Sequence, residues 1–438
     1  MTVAGRRKID SMPNINELQT PTSRLFFKPL EEFYPDSERR YSCKVLSDLD
    51  YAVLGILRCL SSAKTGQEFL QEHAERGGRN ENVDLYFKSL KSQRRFENVN
   101  SLNASFAPHM GQQVPDPFVS FSELSGYHFF AADGHYQTAA CFDPQVETRK
   151  GLQKIATGHF FRLNLRNHHA SYIDISRPKD GKKKDHDANV INRSDIETLR
   201  YQAKTGEKVV YFWDKACIDY MTWYRLKQRG IYFATKEKSN SAMEILGENP
   251  VDYEDERNNG IISDNLVGNG NGAMLRRIVY QNPRDGKIHT YITNEMQLPA
   301  WAVALLYKHR WDIEKVFDQF KNKMEEKKSW ASDPIAKKSH ALFECLAHNL
   351  SLIFEVLIKE QEGLSDEVET VKNKGRQATR TNREGQRLGP KSNFINEVVQ
   401  RASQRTLRYL RWLRNWLYIE APWSHALDRL AYVWGCLD

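Results

Sequence analysis

The chain has 438 residues, with 64 Lys and Arg against 56 Asp and Glu, so its formal net charge is +8. Hydrophobic residues make up 40% of it, which excludes a wholly disordered chain, because such chains lack the apolar surface that offsets the entropy of ordering. The longest apolar run, at 342–358, is interrupted by polar and charged residues and falls short of a membrane span. No signal peptide is visible. We expect a soluble, intracellular protein of about three domains.

The first part of the chain has the apolar spacing of helices. In Asp48–Leu60 and Val83–Phe96, apolar side chains recur at intervals of three and four residues. We therefore predict a mostly helical N-terminal domain over residues 1–115.

From Tyr127 the sequence changes to short apolar, aromatic and β-branched runs, most of them bounded by turn-forming or polar stretches. These runs predict strands at Tyr127–Ala132, Phe160–Leu165, Tyr172–Ile175, Val209–Trp213 and Ile231–Ala234. A helix is predicted at Ile218–Arg229, between the last two strands. Two hairpin-like strands followed by strand–helix–strand predict an α/β fold, a mixed sheet with helices packed on it.

A segment rich in Gly, Asn, Asp and Glu follows at about residues 239–290. It contains one clear strand, Arg276–Tyr280, which a tight turn joins to His289–Thr293 in a hairpin pattern. We predict a β-rich insertion here. Two helices are predicted after it, at Pro299–Met324 and Ala341–Ile358.

Positive charge is concentrated near the C-terminus, in residues 361–438. Between Val371 and Arg414 there are twelve basic residues against two acidic ones. The part from Lys372 to Lys391 has few large apolar residues and predicts a basic linker. Beyond it, leucines repeat at helical spacing, and another face carries Arg401, Arg405, Arg408 and Arg411. A solvated basic helix and a helix laid along DNA phosphates both fit this pattern.

The predicted helix at Pro299–Met324 carries a charge pattern. Its members Tyr307, Arg310, Glu314 and Lys321 stand at offsets of 0, 3, 7 and 14, which at 100° per residue gives one stripe about 21 Å long. A separate apolar stripe beside it should pack on the sheet. The charges alone also fit an ordinary salt-bridged surface helix, since Glu and Arg four residues apart stabilise exposed helices.

The spacing Tyr-x2-Arg-x3-Glu-x6-Lys resembles the signature of the DDE transposases of cut-and-paste bacterial insertion sequences. The surrounding core, Tyr-x2-Arg-Trp-x-Ile-Glu, is similar as well. The resemblance covers about residues 120–360. It implies a ribonuclease H-like catalytic domain at 116–360, an N-terminal domain that binds DNA ends, and a C-terminal segment for DNA contact or dimerisation.

The family places one Asp on the first strand, a second after the fourth strand, and the Glu on a later helix. The resemblance therefore implies that Asp133, Asp214 and Glu314 are the catalytic, metal-binding residues. Asp133 precedes a glycine and also fits a hairpin turn, and Asp143 is an alternative acid. Asp214 also fits a helix N-cap, with Asp219 as its alternative.

Three carboxylates suit Mg²⁺, a hard cation that prefers oxygen ligands. Two such ions can activate the attacking hydroxyl and stabilise the leaving oxygen in a phosphoryl transfer. The resemblance implies two Mg²⁺ ions, for which Mn²⁺ substitutes, and double-stranded DNA as the partner. The residues that we expect to contact this DNA are Tyr307, Arg310, Lys321, Lys236, Arg405 and Arg408.

These features predict a DNA transposase that binds terminal inverted repeats, cleaves the transposon ends and joins the 3′ ends to target DNA. We expect a homodimer in the synaptic complex, located in the bacterial cytoplasm with the nucleoid and without a membrane partner. Two alternatives stay open: a catalytically inactive, transposase-derived DNA-binding regulator, and another ribonuclease H-like nuclease without strand transfer. Loss of an acid would favour the regulator, and a strand-transfer assay separates the nuclease.

Overall fold

The structure is a computed structural model. It describes residues 18–33, 45–148, 151–177, 187–215, 218–239, 241, 243–268, 274–324, 328–372, 375, 378–379, 394–397 and 405–436. The helices are α1 (Pro21–Phe33), α2 (Asp48–Leu60), α3 (Gly66–Glu75), α4 (Val83–Leu90), α5 (Gln93–Gln113), α6 (Asp187–Arg193), α7 (Ile196–Arg200), α8 (Tyr220–Lys227), α9 (Ala300–His309), α10 (Asp312–Asp318), α11 (Pro334–Glu362), α12 (Phe394–Glu397), α13 (Leu407–Trp416) and α14 (Trp423–Trp434). The strands are β1 (Tyr127–Gln137), β2 (Gln145–Thr148), β3 (Gly151–Lys154), β4 (Thr157–Asn164), β5 (Ala170–Ile175), β6 (Lys208–Phe212), β7 (Ile231–Lys236), β8 (Glu244–Glu248), β9 (Ile261–Gly268), β10 (Met274–Gln281) and β11 (Ile288–Thr293).

Nine strands form one mixed sheet, in the order β5-β4-β1-β6-β7-β11-β10-β9-β8, and β2 and β3 form a separate hairpin. β4 runs antiparallel to both β1 and β5, whereas β1, β6 and β7 are parallel to one another. In the half of the sheet from β5 to β7, β4 alone therefore runs opposite to the other strands. This order and these directions are those of a ribonuclease H-like sheet, which confirms the predicted fold class.

The β-rich insertion extends this sheet. β11 pairs antiparallel with β7, and β10, β9 and β8 follow outward. The sequence predicted β10 and β11 but missed β9, because Asp264 and Asn265 occupy two of its buried positions and break the apolar pattern. Arg276 of β10 compensates the buried Asp264 by forming an ion pair with it.

The 29-residue helix α11 lies at the centre of the main core. Helices α1, α2 and α5 pack against it, and it also packs on β5. α11 is long and apolar enough to meet the composition criteria for a membrane span, but 89% of its most apolar stretch is buried inside the protein. That burial is typical of the core helix of a globular protein.

The N-terminal and C-terminal helices share this core. One hydrophobic cluster runs from Leu18 to Trp434 and includes one face of the sheet. The Thr20 hydroxyl donates to the Leu417 carbonyl at 2.9 Å, and α13 packs on α2. The predicted boundaries near residues 115 and 360 therefore do not separate independent cores within the described ranges. Most of the predicted linker, Lys372–Lys391, lies outside those ranges.

Candidate active site

Three charged residues lie at the carboxyl ends of three parallel strands. The last aligned row of β1, β6 and β7 consists of Ala131, Phe212 and Ala234. Two residues further along the chain in each case come Asp133, Asp214 and Lys236. The carboxyl edge of parallel strands is the usual place for a site in an open α/β sheet. Helix α10 packs on β1 beside this edge.

Asp133 and Glu314 form a carboxyl pair at this edge, joined by a side-chain hydrogen bond. Nη1 of Arg310 lies 3.3 Å from Oδ2 of Asp133. Burial raises the pKa of Asp133 to about 7, the neighbouring Glu314 adds to the increase, and Arg310 opposes it. The pair therefore holds a proton close to neutral pH.

The raised pKa of Asp133 predicts that the metal-free protein is more stable at pH 6 than at pH 8. The folded state binds the Asp133 proton more tightly than the unfolded state, where the pKa is about 3.9. This contribution to stability is complete below that pKa and is lost as the pH rises through about 7. We expect the melting temperature to fall between pH 6 and pH 8, and the fall to be smaller in Asp133→Asn, which cannot titrate. An equal fall in both proteins would contradict the raised pKa.

Asp214 stands apart from the carboxyl pair. Its side chain is exposed, and its Oδ1 accepts a hydrogen bond from the Lys215 backbone N–H at 2.8 Å. Its charge opposes the lowering of the Lys236 pKa and adds to the raised pKa of Tyr307, so Asp214 lies near both of these side chains. In the described part of the chain, no group of three His, Cys, Asp or Glu side chains is close enough to hold a metal ion. The structure thus brings two of the predicted acids together and leaves the third on the neighbouring strand end.

The alternative acids have structural partners. Asp143 is buried, and its carboxylate lies 2.9 Å from Nζ of Lys337. Asp219 is the N-cap of α8, which is the role that the sequence also allowed for Asp214. Asp133 lies inside β1 rather than in a hairpin turn. The sheet edge is therefore occupied by Asp133 and Asp214.

The helix predicted at Pro299–Met324 is interrupted. α9 ends at His309, α10 begins at Asp312, and Gln319–Lys323 form a π-helical turn. The four residues of the charge motif consequently differ in exposure: Tyr307 is buried, Arg310 and Glu314 are half-buried, and Lys321 is exposed. The prediction of one continuous helix, and with it the regular stripe of ideal helical geometry, is therefore wrong.

Tyr307 lies beneath the row of charges. Its hydroxyl donates to the backbone carbonyl of Trp213 at 3.2 Å, and its ring centroid lies 4.9 Å from that of Tyr291. The side chain is 6% exposed, and its one polar atom is bonded inside the protein. Tyr307 is therefore held inside the protein in this structure, and its direct contact with DNA stays a prediction.

Three cations lie on the elements that carry the site residues, and they differ in burial and in their partners. Nζ of Lys236 lies 5.8 Å from the centre of the Tyr307 ring, and burial, together with the charge of Arg310, lowers its pKa. Arg310 contacts Asp133 and is largely buried. Lys321 is exposed on the π-helical turn. Lys236 and Lys321 keep the charge and the access that a phosphate contact requires.

The two arginines predicted to bind DNA in the C-terminal segment have protein partners. Arg405 is 2% exposed and forms an ion pair with Glu355 of α11. This end of the arginine-bearing face therefore packs against α11, and the DNA contact of Arg405 stays a prediction. Arg408 forms an ion pair with Asp366, so its guanidinium is also engaged within the chain. Arg401 lies outside the described residues.

Residues 160–350, from β4 into α11, match the family model described as a transposase DDE domain. The matched residues, less than half of the chain, are thus similar to a transposase DDE domain. The matched range contains Asp214, Glu314 and the whole charge motif, whereas Asp133 on β1 precedes it. The assignment of Asp133 depends on its contacts with Glu314 and Arg310.

Two known proteins are similar to this chain. One is y4zB of Sinorhizobium fredii (strain NBRC 101917 / NGR234), whose name describes it as a transposase; it is 28% identical over 137 residues. That match covers 30% of this chain and 37% of y4zB, so the chain matches little more than a third of that relative. The other is the cryo-EM structure of a piggyBac transposase synaptic complex with hairpin DNA, with 12% identity and a TM-score of 0.34 over 94% of this chain and 84% of that one. This TM-score is too low to establish a shared fold.

The sequence pattern did not indicate the contact between Arg310 and Asp133. The four-residue spacing of Arg310 and Glu314 suggested a pair along one helix, yet the guanidinium reaches Asp133 on β1. The two partners are 177 residues apart in the chain. A single sequence carries no signal for such a distant contact, because helical spacing reports local neighbours alone.

Proposed function

We propose that this protein is a metal-dependent DNA transposase, which cleaves the ends of a transposable element and joins the 3′ ends to target DNA. The observation that carries the proposal is the contact of Asp133 with both Glu314 and Arg310 at the carboxyl edge of the sheet. Asp133 and Glu314 thus lie together at this edge, and Asp214, within the residues that match the transposase family model, follows the end of the neighbouring strand.

The oxygen donors at this edge suit a hard divalent cation. We propose Asp133, Asp214 and Glu314 as the ligands of two Mg²⁺ ions, with Mn²⁺ as a substitute. The raised pKa of Asp133 supports this, because adjacent carboxylates that are both ionised need a compensating positive charge. When bound, such ions activate an attacking oxygen and stabilise a leaving oxygen in phosphoryl transfer.

The chain's own cations would bind the DNA around the scissile phosphate. Lys236 and Lys321 would each hold a phosphate as a point charge. Arg310 holds Asp133, and the other N–H groups of its guanidinium can donate to a phosphate as well. Because a transposition reaction joins two transposon ends, we also propose that two copies of the chain act together in the synaptic complex.

Lys321→Ala should weaken binding to transposon-end DNA and leave folding unchanged. An exposed lysine that neutralises one phosphate contributes about one unit to the slope of log Kd against log salt concentration. Fluorescence anisotropy at several salt concentrations should show weaker binding and a slope smaller by about one. Lys359→Ala, on the exposed last turn of α11, is the matched control. The same slope in Lys321→Ala as in the wild type would remove Lys321 from the interface.

The proposed function is tested on the DNA that flanks the coding region. This DNA should contain short inverted repeats bounded by a direct duplication. The purified protein should bind a repeat in EDTA, and cutting at the repeat end should begin when Mg²⁺ is added. A scrambled repeat serves as the control. Binding without cutting would favour the regulator, and equal cutting of both DNAs would favour a nuclease without end recognition.

A further inference from the structure

We infer that Tyr307 is a positioning residue, which holds the strand end that carries Asp214 through its hydrogen bond to the Trp213 carbonyl. The inference rests on the proposed metal-dependent function. It gives Tyr307 a role inside the protein in place of the DNA contact that the resemblance implied.

The backbone of Trp213 is held on both sides immediately before Asp214. Its N–H donates to the Ala234 carbonyl of β7 at 3.2 Å, and its carbonyl accepts the Tyr307 hydroxyl at 3.2 Å. Asp214 is the next residue, lies beyond the end of β6 and has an exposed side chain. The placement of the Asp214 carboxylate therefore depends on how firmly Trp213 is held.

The Tyr307 hydroxyl is a fixed donor at this point. Its ring lies 4.9 Å from that of Tyr291 and 6.5 Å from that of Phe212, measured between ring centroids. Burial raises the pKa of Tyr307 above its usual value of 10, so the phenol keeps its proton at neutral pH.

The same stretch of chain reaches each of the three acids. Tyr307, at the end of α9, bonds to the residue before Asp214. Arg310 contacts Asp133 across the sheet edge, and Glu314 is itself the third acid. The Tyr-x2-Arg-x3-Glu part of the motif thus contacts or contributes each of the strand or helix segments that carry the three acids, and a supporting partner of this kind tunes the affinity of a metal site.

The test compares Tyr307→Phe with Tyr291→Phe by calorimetric titration with Mn²⁺ alone. Tyr307→Phe keeps the ring and removes the hydroxyl, whereas Tyr291→Phe removes the hydroxyl of the neighbouring buried ring. We expect Tyr307→Phe to raise the Mn²⁺ Kd about tenfold, as loss of a partner behind a ligand commonly does. Tyr291→Phe should keep the wild-type Kd. The titrations are made well below the melting temperatures of all three proteins.

A second readout separates positioning from DNA contact. In EDTA, Tyr307→Phe should bind transposon-end DNA with the wild-type Kd. Weaker DNA binding with unchanged Mn²⁺ affinity would overturn the inference and restore the DNA contact. Unchanged values of both constants would overturn it as well. A wild-type protein that binds no Mn²⁺ would instead contradict the proposed metal-dependent function on which the inference rests.

Discussion

Glu314→Gln should abolish DNA cleavage and leave binding to the transposon end intact. Glu314 is the acid that α10 brings against Asp133. An amide keeps the shape of the side chain but removes the negative charge that a divalent cation requires. Metal ions in such sites contribute several kcal/mol of transition-state stabilisation, so we expect cleavage to slow by about a thousandfold. The measurement is the rate of nicking of a labelled end fragment in Mg²⁺ and again in Mn²⁺.

Two comparisons make this result specific. Glu360→Gln, on the exposed last turn of α11, removes the same charge far along the chain from the site and should cleave at the wild-type rate. End binding by Glu314→Gln in EDTA should match the wild type, since the side chain is half-buried among the acids. Full cleavage by Glu314→Gln would exclude it from the catalytic residues.

Arg405→Met should destabilise the protein by about 1.5–3 kcal/mol, because the half-buried Glu355 loses a charged hydrogen-bond partner. Methionine keeps most of the apolar length of arginine, so the decrease in the free energy of unfolding is due mainly to the removed charge. Glu355 would be left on α11 without its guanidinium partner. The free energy of unfolding, measured by denaturant titration, checks this value.

Arg411→Met is the control for the charge lost in Arg405→Met. Arg411 is exposed on α13, whereas Arg405 lies two residues before that helix and is 2% exposed. We expect Arg411→Met to change the free energy of unfolding by less than about 0.5 kcal/mol. If Arg405→Met were as stable as the wild type and bound DNA more weakly, Arg405 would be a DNA contact after all.

Much of the mixed sheet could be predicted because several of its strands have strong local patterns. β6 and β7 are almost wholly apolar or β-branched and are buried on both faces, so each stands out from the polar sequence around it. The charge motif placed Glu314 correctly on a helix, and the adjacent apolar stripe is buried as predicted. β9 was not predicted because its buried Asp264 is stabilised by an ion pair with Arg276, which lies on another strand.

The contacts of the candidate site were less predictable, because they join distant parts of the chain. Helical spacing placed Tyr307 and Arg310 on one stripe, but it could not show that the Tyr307 phenol contacts Trp213 and Tyr291. The arginine spacing likewise marked a face without showing what covers it. Glu355, which lies 50 residues earlier in the chain, forms an ion pair with Arg405 at one end of that face. Burial of this kind depends on tertiary packing, which a single sequence reports only as a pattern.

A strand-transfer assay tests the proposed transposase function most directly. Pre-cut DNA that ends in the inverted repeat is incubated with the protein, a supercoiled target plasmid and Mg²⁺. We predict that the 3′ ends become joined to the plasmid and that Glu314→Gln gives no joined product. The proposed function would be contradicted if the wild type cut uncut ends but joined no pre-cut ends. That result would identify a nuclease in place of a transposase.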